Sequence, residues 1–177
     1  WIYGRQDWKT LERGLENCYL LTNGLGGFSS LTMTGAVARN DHSVFMSCTK
    51  TPNHRINMIH RMKEELDIGE SKYVLSTQEF ADGTKEEGYR YLTEFSFETF
   101  PVWNYLISGV EIEKEIVMAQ GSNQIAVNYH LKNRGQKEAA LCVTPFFQFE
   151  PKGEDLKEDK IFSRQEQKIT DGKYALF

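Results

Sequence analysis

The most conspicuous run in the chain is Thr22-Asn-Gly-Leu-Gly-Gly-Phe28. Gly24-Leu-Gly26 opens like a dinucleotide fingerprint, but Ser29 stands where a third glycine is needed, and strand-like alternation follows where a helix is required. A nucleotide loop is excluded. Two readings remain. One is a tight connection in which Asn23 and Gly24 supply positive φ, and Gly26 and Gly27 allow close backbone approach; the other is a loop whose bare backbone meets a ligand. Residue chemistry alone favours the turn. A second stretch, Arg39-Asn-Asp-His42, sets a cation, an amide, a carboxylate and an imidazole side by side. Asp next to His can orient an imidazole for acid–base work, yet no nucleophile accompanies the pair, and Asn and Asp are ordinary turn formers.

Glu111, Glu113 and Glu115 share one strand face, successive members about 6.6 Å apart by strand rise, a separation found between glycosidase carboxylates. Such enzymes keep one carboxyl protonated in a desolvated pocket, whereas three acids on a polar parity describe a solvated face. His60 falls on the apolar parity of its segment, which predicts a hydrogen-bonded core histidine. His54 and His130 have no partner at metal-ligand spacing. Between Tyr89 and Tyr105 stand seven aromatics in seventeen residues. Most must be core, but Trp103 and Tyr105 share a parity opposite to Val102 and Leu106, so this pair is the candidate for an outward, sugar-stacking face.

The elements that carry these groups read as strands. Ser30 to Thr34 alternates. Ile56, Met58, His60, Met62 and Leu66 oppose Arg55, Asn57, Arg61, Lys63 and Glu65, giving one core face and one water face. Val110, Ile112, Ile116 and Met118 oppose the three glutamates, with Lys114 as an interruption; Ile125, Val127, Tyr129 and Leu131 form another apolar set. Ala139, Leu141, Val143, Phe147 and Phe149 continue the series beyond the turn Asn133-Arg-Gly135. A helix is predicted only near the start, at the i, i+3, i+7 spacing of Trp8, Leu11 and Leu15. The fold class is therefore all-β: a large antiparallel sandwich of two sheets with at most a short N-terminal helix, a closed barrel being the alternative. Pro151 to Lys160 is expected to be a solvated loop.

The chain has 177 residues and a net charge of −4, with no Lys/Arg-rich stretch, so nothing marks it for nucleic acid or an anionic membrane. A chain of this size buries about 70% of its unfolded surface and needs no metal or disulfide to hold a core. Cys18, Cys48 and Cys142 are odd in number and widely spaced, which fits reduced thiols in the cytoplasm and lacks zinc spacing. No apolar run reaches the roughly 18 residues of a membrane span. The start at Trp1 and the stop at Phe177, inside the strand-like run from Lys173, read as a single domain, 1–177, cut from a longer protein.

Tyr19-Leu-Leu-Thr-Asn-Gly-Leu-Gly-Gly-Phe28 resembles the opening motif of the N-terminal domain of bacterial and archaeal glycogen debranching enzymes of the amylo-α-1,6-glucosidase type. Glu87-Gly-Tyr-Arg-Tyr-Leu92, Phe100-Pro-Val-Trp103, Gly109-Val-Glu-Ile-Glu-Lys114 and Thr144-Pro-Phe146 resemble later blocks in order, covering about residues 18 to 150. Many members carry Arg-Arg-Tyr-His-Gly where this chain reads Arg39-Asn-Asp-His-Ser43, which keeps an Arg and the His and lacks the aromatic. The resemblance implies a supersandwich-type domain packed on a C-terminal (α/α)6 barrel that holds the catalytic carboxylates, in an enzyme cleaving α-1,6 branches of glycogen or a related α-glucan. It implies no catalytic residue in this chain, no cofactor and no metal. The substrate-binding expectation falls on Asn23, Gly24, Gly26, Gly27, Arg39 and His42, as a loop at the cleft rim. A free-standing carbohydrate-binding module, or an interaction domain without sugar affinity, are the other readings.

Overall fold

A strand with one apolar face must pair and bury that face to be stable. The computed structural model describes residues 1–51 and 53–155. Its strands are β1 (Ile2–Gly4), β2 (Leu21–Thr22), β3 (Phe28–Ser30), β4 (Ser43–Lys50), β5 (His54–Ile68), β6 (Ser71–Val74), β7 (Thr77–Glu79), β8 (Lys85–Glu87), β9 (Leu92–Phe97), β10 (Pro101–Ile107), β11 (Val110–Met118), β12 (Ile125–Asn133) and β13 (Ala139–Pro151). The helix α1 (Leu11–Glu16) is capped by the Thr10 hydroxyl, which accepts from the Arg13 amide, and it buries Leu11 beside Trp8.

One sheet runs β1-β9-β10-β11-β12 and the other β13-β5-β4-β3-β2, with β6 added to β5; every pair is antiparallel. The hairpin β7-β8 stands apart and lies against the outer side of β5, where Arg61 pairs with Glu86 at 2.8 Å and covers the Phe80 ring. The core fills the space between the sheets. Leu92, Phe95, Trp103, Ile112 and Ile116 from the first meet Val44, Phe45, Leu66 and Ile68 from the second, and the Trp103 indole donates to the Met33 carbonyl at 3.0 Å. The fold is an all-β sandwich.

Lys114 follows the inward parity of β11, and that interruption has a partner. Its ammonium meets Glu64 of the opposite sheet, both side chains about 5% exposed; the Tyr129 hydroxyl donates to the same carboxylate at 2.8 Å, and Trp103 lies beneath the ammonium. Paired and hydrogen-bonded, the two charges are tolerated between the sheets, and removing either would strand the other.

Four sequence expectations need correction. Residues 31–36 form no strand: the chain turns back through Gly35, at φ 80°, with the Thr32 hydroxyl accepting from the Ala36 amide. Their alternation is masked because Leu31, Thr32, Met33 and Thr34 are all buried. In β5 the register slips on both sides, between Phe146 and Phe147 of β13 and between Phe45 and Met46 of β4. These bulges turn His60 out of the core and bury Asn57, which strict alternation placed in water. Trp103 and Tyr105 face inward, 0% and 6% exposed, while Leu106 is the exposed neighbour. The three glutamates of β11 do stand on the outer face, Glu111 with Arg134 and Glu115 with Asn128. The expected loop is described only to Asp155, and the run from Lys173 lies outside the described residues.

Candidate functional site

The Gly-rich loop joins β2 to β3, and its geometry is set by one side chain. Asn23 is 0% exposed. Its carbonyl oxygen accepts from the Leu25 and Gly27 amides at 2.9 and 3.0 Å, and its amide nitrogen donates to the Ser122 carbonyl and the Asn123 side chain at 2.9 and 3.0 Å. Backbone bonds to Gly27 and Gly121 complete the set. The loop of one sheet is thereby fastened to the β11–β12 connection of the other. Gly24 and Gly26 have φ of 77° and 92°, and a Cβ on Gly27 would lie 2.8 Å from the Asn23 amide nitrogen.

The second motif is a turn between the 31–36 reversal and β4. Its start is clamped by Gln78 of β7, which bonds both the amide and the carbonyl of Val37 at 3.0 and 2.8 Å. His42 closes it: its backbone amide donates to the Arg39 carbonyl, and its ring Nδ1 accepts from the Ala38 amide at 3.1 Å. Burial pushes the His42 pKa down, with Asp41 opposing and Arg39 assisting. A neutral ring that accepts at Nδ1 carries its proton on Nε2, which is buried without a partner among the described residues. Asp41 points instead toward Lys152, 3.8 Å away. Arg39 is exposed, its guanidinium held by long contacts to the Glu16 carbonyl at 3.4 Å and the Cys18 sulfur at 3.8 Å.

A cavity flanks each side of this turn. The larger, about 600 Å³, is lined by Arg39, Asn40, His60, Phe80, Gln148 and Asp155 among others. Its floor is a hydrogen-bonded chain. The Ser43 hydroxyl lies 2.8 Å from the Asn57 oxygen, the Asn57 amide donates to His60 Nδ1 and to the Gln148 oxygen at 3.0 Å each, and Gln148 donates to the Glu154 carbonyl at 2.7 Å. Burial, then the neighbouring Arg61, lowers the His60 pKa. With Nδ1 accepting, Nε2–H is the ring's remaining donor. The smaller cavity, about 440 Å³, is lined by Gly26, Gly27, Phe28, Asp41, Arg55 and Lys152. Arg55 Nε donates to the Gly26 carbonyl at 2.7 Å, and Lys152 stands 5.4 Å from the Phe28 ring centre.

The six residues expected to bind substrate thus divide. Gly26 and Gly27 border the smaller cavity, Arg39 the larger, and His42 lies buried under the turn; Asn23 and Gly24 line neither. His60, Asn57, Gln148 and Phe80 were not among those expected. Phe80, one residue before the Ala81-Asp-Gly83 turn, gave the only readable hint, an aromatic at a hairpin tip. The other three depend on bulges that no spacing reveals. Among the described residues no group of three or more His, Cys, Asp or Glu could hold a metal ion, and no helix is long and apolar enough to cross a membrane.

Comparison with known proteins adds to this geometry. A 61-residue stretch, 34% of this chain, is 36% identical to the membrane protein insertase YidC of Thiobacillus denitrificans; it spans 11% of that protein's length. No solved structure matches. A family model described as glycogen debranching enzyme N terminal matches residues 17–176, from the start of the Gly-rich block through the last described strand and beyond. With nearly the whole sandwich matched, the chain belongs to the glycogen debranching enzyme N-terminal family.

Proposed function

We propose that this chain is the non-catalytic N-terminal sandwich of a cytoplasmic glycoside hydrolase that cleaves α-1,6 branch linkages of glycogen or a related α-glucan. The family match over residues 17–176 carries the reading. The sandwich supports a C-terminal (α/α)6 catalytic domain and lends the 23–27 loop and the 37–42 turn to the rim of the substrate cleft. Two features agree with a docked domain and a rim: Phe146, Phe147 and Phe149 are exposed on the edge strand β13, and both cavities open beside the turn. Glu64, a buried carboxylate, is held by Lys114 and Tyr129 and is not available as an acid or base.

The test is an assay of glucose release from a branched α-glucan. The full-length protein is expected to turn over and the 177-residue chain alone to be inactive. Sustained turnover by the chain alone, abolished by Glu113→Gln, would overturn the assignment. In the full-length protein Arg39→Ala should reduce kcat/KM with little change in Tm. Glucan binding without hydrolysis by the full-length protein would replace this reading with a carbohydrate-binding module, which the Phe80 ring in the larger cavity favours as the second choice.

A further inference from the structure

The larger cavity combines donors, acceptors and one ring in a way that the Gly-rich loop does not. Donors are the Arg39 guanidinium, the Asn40 amide and His60 Nε2–H. Acceptors are the carboxylates of Glu79, which also holds Lys85 at 2.9 Å, and Asp155. The ring is Phe80, half-buried and backed on one side by the Arg61 guanidinium, 5.1 Å from its centre. Arg61 is itself fixed by two bonds to Glu86, at 2.8 and 3.2 Å, so the ring rests on a rigid support. His60 is oriented with equal firmness, because Asn57 spends its amide nitrogen on Nδ1 and on Gln148.

Mixed donors and acceptors around a flat apolar surface suit a neutral polyol. The carboxylates disfavour an anion, and Arg39 beside them disfavours a simple cation. A pyranose presents alternating hydroxyls at its edge and C–H groups on its face, which match the polar rim and the ring respectively. We infer that this cavity is a non-catalytic binding subsite for a linear α-1,4-glucan segment, with Phe80 as the stacking platform and His60 and Arg39 as hydroxyl donors. This rests on the debranching reading for the identity of the glucan, and on the cavity alone for the existence of the site. The subsite grips the chain that carries the branch, at a distance from the bond being cut, so it acts on substrates long enough to reach it.

The experiment uses the full-length protein, with maltoheptaose as the binding probe in calorimetry and two hydrolytic substrates, a long branched glucan and a short α-1,6-linked oligosaccharide. Phe80→Ala is expected to weaken maltoheptaose binding and raise KM for the long glucan about ten-fold, leaving kcat/KM for the short substrate unchanged. Phe80→Trp, which keeps a ring, should retain wild-type affinity; His60→Phe, which keeps the ring shape and removes the Nε2 donor, should lose affinity. If wild-type protein fails to bind maltoheptaose, or if Phe80→Ala and His60→Phe both bind it as wild type does, the inference is overturned. Hydrolysis of branched glucan that is indifferent to Phe80 would overturn the subsite while leaving the enzyme reading intact. Ring-dependent maltoheptaose binding without any hydrolysis would support the subsite and overturn the debranching reading.

Discussion

The 23–27 loop and the 37–42 turn are both short, polar connections of the same sheet, and they use polar side chains in opposite ways. Asn23 makes four side-chain hydrogen bonds within the protein, so no donor or acceptor is left for a ligand. Arg39 is exposed and held by contacts of 3.4 and 3.8 Å, and His60, which lines the same cavity, has a ring nitrogen to spare. A polar residue is available to a ligand to the extent of its hydrogen-bonding capacity minus what the fold consumes. An Asn in a Gly-rich motif looks like a binding group in sequence and serves here as a fastener between two sheets.

Four measurements put that contrast at risk. The largest effect is expected at Asn23→Ala, which strands the buried Gly27 amide, the part-buried Leu25 amide, the Ser122 carbonyl and the Asn123 oxygen; unfolding in denaturant should register a loss of about 2–4 kcal/mol. A change under about 0.5 kcal/mol would mean the loop is not a fastener. Gly26→Ala comes next, since φ of 92° is costly for any residue with a Cβ; a loss above about 1 kcal/mol is expected in the same melts.

The third is pH. His42 and His60 both have pKa values below the ordinary 6.5, chiefly through burial. As pH falls past 6.5 the unfolded chain takes up protons before the folded one does, so stability should decline from that point down to the folded-state pKa values and level off below them. Melting temperatures across that range check the sign, and a double replacement of both histidines should flatten the slope. A rise in stability on acidification would contradict neutral, accepting rings. The smallest effect is expected at Arg39→Ala, below about 0.5 kcal/mol, because an exposed guanidinium with long contacts contributes little. A loss comparable to that at Asn23 would erase the distinction between the two connections.

Period-two alternation gave the all-β class and the outward glutamates of β11, turn chemistry the bend at Asn133, and i, i+3, i+7 spacing the helix near Leu11, because each depends on neighbours within one element. Lys114 was legible as an exception in that pattern, but its reason, Glu64 on the facing sheet, lies fifty residues away in sequence. Trp103 and Tyr105 had a correct parity relative to each other and the wrong side, since alternation fixes which residues share a face and not which face is inside. The site divides in the same way. Arg39 and the glycines were visible as residue types able to meet a ligand, whereas His60, Asn57, Gln148 and Phe80 come from two strands, β5 and β13, and a hairpin tip. Only the pairing of β13 with β5, the bulges in that pairing and the packing of β7-β8 against it bring those four to one cavity. Sequence spacing carries local geometry; the meeting of distant side chains is decided by register and layer packing, which no single segment encodes.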